Sequence, residues 1–151
     1  MRDKYVFSDA QALGALTSAG VVSTNVWDME LDASGGNTIL TNDQLVGFLN
    51  IIIPPNALQT AAEGINIYLR SSDNADMVSG DIDLGVVFVS MAEMVAGCIK
   101  NIAVIVALTQ EFVGLFYDPV SSTLITGSTV DAYWHTGPLT ENDAIQKAPS
   151  R

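Results

Sequence analysis

The chain has 151 residues with one cysteine, one histidine, six Lys+Arg and seventeen Asp+Glu, for a formal charge of -11. That length fits one domain, and a hydrophobic content of 48% rules out disorder of the highly charged kind. Between residues 5 and 146 only Arg70 and Lys100 are basic, against sixteen acidic residues, which argues against nucleic acid as a partner and against an anionic membrane surface.

Residues 1–5 carry charge, and Ser8, Asp9 and Gln11 interrupt any apolar core behind them, so no secretion signal is expected. A short strand is possible at 5–8. Residues 24–31 alternate cleanly, and their Asn25, Trp27, Met29 and Leu31 face is the one predicted to be buried. After a Ser/Gly patch at 32–37, residues 45–53 are nearly continuous apolar and stop at Pro54-Pro55, which reads as a central strand ending in a corner. Residues 65–70 alternate with Ile65, Ile67 and Leu69 inward. A polar loop is predicted over 71–83, then a strand at 86–89.

Residues 90–97 are the best helix candidate, one or two turns long, with Ser90 and Glu93 at capping-box spacing. The apolar stretch 85–108 is long enough to span a membrane, but Glu93, Lys100 and Asn101 near its middle argue against that. Strands are predicted at 102–108, at 112–117 with Asp118-Pro119 as the stop, and at 130–135, where Val130, Ala132 and Trp134 share a face. The count is seven strands plus a possible eighth, the spacing of sandwiches and barrels. The predicted core includes Trp27, Ile51, Ile67, Val104 and Trp134. The sandwich is expected over 1–138 with a short N-terminal arm, and a polar tail over 139–151.

Catalytic chemistry is hard to assemble from these residues. His135 is the only histidine, no G-x-S-x-G elbow accompanies it, and a surface histidine at a strand end is the simpler reading. Cys98 is expected to be a small buried thiol. One Cys and one His fall short of a zinc site. Asp73, Asp76, Asp81 and Asp83 could attract calcium, yet Ala75 and Met77 occupy two positions where an EF-hand needs oxygen ligands, so a solvated acidic loop is expected. Gly35-Gly36 lacks the Gly-Lys-Ser continuation of a phosphate loop. No cofactor and no metal are expected, nor an enzyme.

Four of the six basic residues are terminal: Arg2, Lys4, Lys147 and Arg151. With Tyr5 they are the candidates for contact with an acidic protein partner. The apolar content of so small a sandwich also predicts faces or edges covered by other chains, hence a homo-oligomer, dimer or trimer.

Two segments resemble the opening of capsid cement (decoration) proteins of the Bordetella phage type. They are Phe7-Ser8-Asp9-Ala10-Gln11-Ala12, against an F-S-D-x-Q segment, and Ser23-Thr24-Asn25-Val26-Trp27-Asp28, against a first long strand with an S-T-x-x-x-D pattern. Residues 112–117, a loop at 121–127 and residues 130–134 resemble the family's terminal hairpin. The resemblance spans about 7–135 and implies an antiparallel, jelly-roll-like β-sandwich of about seven or eight strands. It implies a structural protein on the outer surface of a tailed-phage head, made in the host cytoplasm, that clamps major capsid subunits without catalysis. The family often carries Arg before the terminal hairpin, whereas Leu108-Thr109-Gln110-Glu111 has none, so no capsid salt bridge is expected there. The alternative is a lectin-like jelly roll with Trp27, Tyr68, Tyr133 or Trp134 stacking on sugar rings.

Overall fold

A computed structural model of the chain describes residues 6–13, 20–28, 44–56, 63–77, 80–107, 110–120 and 128–135. The elements are β1 (Val6–Ala12), β2 (Val21–Val22), β3 (Trp27–Asp28), β4 (Gln44–Ile53), β5 (Gly64–Ser72), β6 (Ile82–Ser90), α1 (Met91–Ala96), β7 (Cys98–Ala107), β8 (Phe112–Val120) and β9 (Thr129–His135). They form two antiparallel sheets packed as a sandwich. One has the order β1-β9-β4-β7; the other has β2-β8-β5-β6, with β3 following β2 along the same edge of β8. The chain changes sheet at every connection except β2 to β3 and β5 to β6.

Period-two alternation builds the core, because successive side chains of a strand point to opposite faces. Ile65, Ile67 and Leu69 of β5 and Val113, Leu115 and Tyr117 of β8 meet Leu49, Ile51 and Ile53 of β4 and Val130 and Ala132 of β9 across the sandwich. Each buried aliphatic side chain contributes about 1.5–3 kcal/mol. Phe7, Val89, Met94 and Val104 complete this core. Trp27 and Trp134 lie at its margin, partly buried, with Trp27 stacked on Phe7 at 4.1 Å and edge-on to Trp134. The reading of both tryptophans as core residues is corrected to that extent.

The continuous apolar run of β4 has a physical reason. The strand lies between β9 and β7, and its opposite face is also covered, with Ile52 packed against Ile99 and Tyr133. From Leu49 to Ile53 both faces of β4 therefore exclude water.

At the far end of β6, Ser90 caps α1. Its hydroxyl accepts from the Glu93 amide while the Glu93 carboxylate accepts from the Ser90 amide. The helix carries the chain from β6 in one sheet to β7 in the other and ends at Gly97, whose φ of 81° suits glycine. A Cβ there would come within 2.8 Å of the Pro55 ring, so the corner after β4 and the helix end interlock.

Several predicted boundaries move. The expected strand over 24–31 is replaced, over its described part, by a bend at Thr24 and a strand of two residues, Trp27–Asp28. The cause is local: the Ser23 hydroxyl donates to the Asn25 carbonyl and accepts from the Leu115 amide, which diverts this backbone from a regular ladder. Residues 29–31 and the Ser/Gly patch lie outside the described residues. The loop expected over 71–83 shrinks, since β5 continues to Ser72 and β6 begins at Ile82. β7 begins at Cys98, directly after the helix.

Asp118 and Pro119 do not stop β8; Pro119 pairs opposite Ile65, beyond the stretch of β8 that pairs with β2. The possible strand at 5–8 instead runs from Val6 to Ala12 and is bulged twice against β9.

Candidate functional site

Two arrangements stand out, one structural and one exposed. The first joins the two segments that carry the family resemblance. The Gln11 side chain donates to the Val22 carbonyl and accepts from the Thr24 amide, and its Oε1 also accepts from the Ser8 hydroxyl at 2.6 Å. Asn25 answers in the other direction: its backbone N–H donates to the Phe7 carbonyl and its side-chain amide to the Val6 carbonyl.

The bulge in β1 between Ser8 and Gln11 places Ala10 at a φ of +46°, strained for a residue with a Cβ. The Ala10 amide there donates to the buried Asp131 carboxylate at 2.6 Å. Local strain is held by a strand from the other end of the chain.

The second arrangement is the outer face of the five-stranded sheet. Antiparallel partners share a face, so the pairings Tyr68 with Val86 and Phe116, and Asn66 with Phe88 and Asp118, put these residues side by side. Arg70 sits at the centre. Its guanidinium lies 4.0 Å from the Phe116 ring centre and 5.0 Å from that of Tyr68, a cation–π arrangement. Its Nε is 2.6 Å from Asp83 and 3.3 Å from Asp81. The one basic residue of this face is thus neutralised and flattened onto two rings. Beside it Val86 and Phe88 on the sheet-edge strand β6 are 57% and 46% exposed, whereas Ile82, also exposed, pairs with the buried Ser71 and belongs to the opposite face. The result is an apolar platform whose one cation is outnumbered by the carboxylates around it.

The sequence-predicted residues fall as follows. Arg2, Lys4, Tyr5, Lys147 and Arg151 lie outside the described residues. His135 closes β9 opposite Phe48. Cys98 is half-buried rather than buried, and burial pushes its thiol pKa up, away from the reactive thiolate. Of the four loop carboxylates, Asp73 and Asp76 are exposed, while Asp81 and Asp83 turn to Arg70. Among the described residues no group of three or more His, Cys, Asp or Glu could hold a metal ion, and no helix is long and apolar enough to cross a membrane.

Ile51, Ile67 and Val104 are buried in the core. The Arg70 platform was missed in the sequence. A usable signal was there, since Arg70 shares the outward alternation of Tyr68 and precedes Asp81 and Asp83 across a single loop.

No protein-family model matches this chain, and no curated protein matches its sequence.

Proposed function

We propose that the chain is a structural cement, or decoration, protein of a tailed-phage head, bound to the outer surface of the shell and holding neighbouring major capsid subunits together. One observation carries the reading: the F-S-D-A-Q and S-T-N-V-W-D segments, which bear the resemblance, form one unit through Gln11, Asn25 and the Phe7–Trp27 stack. Residues shared with a family for a structural reason would do this. The strand orders β1-β9-β4-β7 and β2-β8-β5-β6 further support a jelly-roll winding, an architecture used by viral shell and lectin domains alike.

In this reading the platform around Arg70 is the docking face, the chain acts as a dimer or trimer, and the basic ends Arg2, Lys4, Lys147 and Arg151 add contacts to an acidic shell. No catalysis is assigned. The lectin-like alternative is disfavoured because its four rings are already engaged: Trp27 on Phe7, Trp134 against Trp27, Tyr68 under Arg70, and Tyr133 against Ile52.

Co-sedimentation with emptied tailed-phage heads tests the proposal. Saturable binding at a fixed ratio to the major capsid protein is expected. Failure to bind heads, together with binding to immobilised glycans, would overturn it in favour of the lectin.

A further inference from the structure

The sandwich is not filled evenly. On the side where β6 and β7 form the edges of their respective sheets, the layers part around a cavity of about 250 Å³ lined by Leu49, Ile67, Leu69, Leu84, Gly85, Ile102, Ala103 and Val104. No lining residue carries a polar side chain. The gap has an identifiable origin at Gly85, which pairs with the buried, inward-facing Leu69 and so occupies an inward position of β6. A Cβ added there would meet nothing within 4 Å. Gly85 and Ala103 are exposed, so the space opens to solvent along this edge, and Leu84, at the register shift beside Gly85, does not fill it.

We infer that this cavity is a binding site for a small uncharged hydrocarbon, a benzene-sized ring or a short alkyl chain, lodged where the Gly85 side chain would be. Size and side-chain lining agree, since an apolar cavity of about 150 Å³ takes up benzene, and here the open edge at Gly85 and Ala103 gives the ligand a way in. Water that enters finds no side-chain partner to hold it, so a hydrocarbon displaces it at little cost. The surroundings select against anions: Asp83 stands two residues from Gly85, and the two basic side chains of the described residues are already paired, Arg70 with Asp81 and Asp83, and Lys100 with Glu93. A carboxylate on the ligand would meet like charge with no free cation among the described residues. A neutral hydrocarbon meets only lost solvent-exposed apolar area.

The probes are benzene and 1-hexanol, with hexanoate as the charged counterpart, added to the intact protein and followed by methyl NMR. Saturable shifts are expected for Leu49, Ile67, Leu69, Leu84, Ile102 and Val104 with benzene and hexanol, and much weaker ones with hexanoate. Gly85→Leu, which fills the space from within, abolishes them and raises the melting temperature. If that variant fails to fold, the shift map of the unaltered protein still decides. Shifts scattered over the Val86 and Phe88 face, equal response to hexanoate, or no saturation in any probe would overturn the inference. Binding to phage heads plays no part in this readout, so the cavity and the cement reading stand or fall separately.

Discussion

The hydroxyl of Tyr117 lies 2.7 Å from the hydroxyl of Ser8, both side chains fully buried although 109 residues separate them. Ser8 gives its proton to Gln11, which leaves Tyr117 as donor to Ser8. Burial pushes the ionisation of Tyr117 far above its ordinary value of 10.0, the Ser8 hydrogen bond opposing and the Asp131 charge adding to the shift.

That shift has a sign. An unfolded tyrosine loses its proton near pH 10, whereas the folded one holds it, so the unfolded state gains above that pH. The contribution of Tyr117 is therefore complete below about pH 10 and is lost as pH rises toward the folded value. Urea midpoints measured from pH 8 to 11.5 should hold steady and then fall, and the fall should be smaller in Tyr117→Phe. At neutral pH the same variant should lose about 1 kcal/mol with its hydrogen bond. Identical alkaline profiles would remove Tyr117 from the account.

At the helix the sign reverses. The Lys100 ammonium, first, and the Ser90 amide hold the Glu93 carboxyl below its ordinary value of 4.5. Its contribution is present above that value and is lost as pH falls through the lowered one. In Lys100→Met the Glu93 titration followed by NMR should move up toward the ordinary range. Ser90→Ala should destabilise the fold by about 1 kcal/mol through loss of the cap.

Gly47 faces the indole of Trp134, and a Cβ there would come within 2.7 Å of the ring. Gly47→Ala should push the indole aside at a cost of about 1–3 kcal/mol, read as a lower melting temperature and an altered tryptophan emission. Unchanged stability would mean that the ring moves freely.

The docking face is tested by charge. Phe88→Asp and Val86→Asp alter exposed positions and should change stability by no more than about 0.5 kcal/mol while greatly weakening binding to phage heads. Arg70→Ala uncovers Tyr68 and Phe116 and leaves Asp81 and Asp83 unpaired, so it should weaken binding as well. Full occupancy in all three variants would move the docking face elsewhere.

The termini make a separate prediction. Changing Arg2 and Lys4 to Glu should reduce head binding in a salt-dependent way with the fold unchanged, because exposed ion pairs are individually worth about 0–1 kcal/mol and add up only over several copies. Occupancy that stays the same across a salt series would leave apolar contacts as the whole of the adhesion.

Much of this architecture was legible in the chain. The long strands β4, β5, β8 and β9 announce themselves because alternation or continuous apolarity reflects which faces are wet, and the capping box at Ser90 and Glu93 is a purely local device. What escaped was set by distant partners. Val21–Val22 is too short to carry a period and exists as a strand because β8 offers Phe116 and Tyr117 as partners. Pro119 reads as a stop, yet it continues the strand because β2 ends before it. The role of Arg70 depends on register, which brings Phe116 and Asp83 beside it from separate strands; the order of residues marks only its outward side and the loop to Asp81 and Asp83, not the contact with Phe116.

The last of the described strands has a central seat: β9 lies between β1 and β4 and supplies pairing partners to both. During synthesis the first strand therefore waits through more than a hundred residues for its neighbour. Until Thr129–His135 has left the ribosome, β1 has no ladder to join and the Ala10 bulge has no Asp131 to hold it. The first sheet thus closes only once β9 has been made, and a chain cut before Thr129 is left with that sheet open.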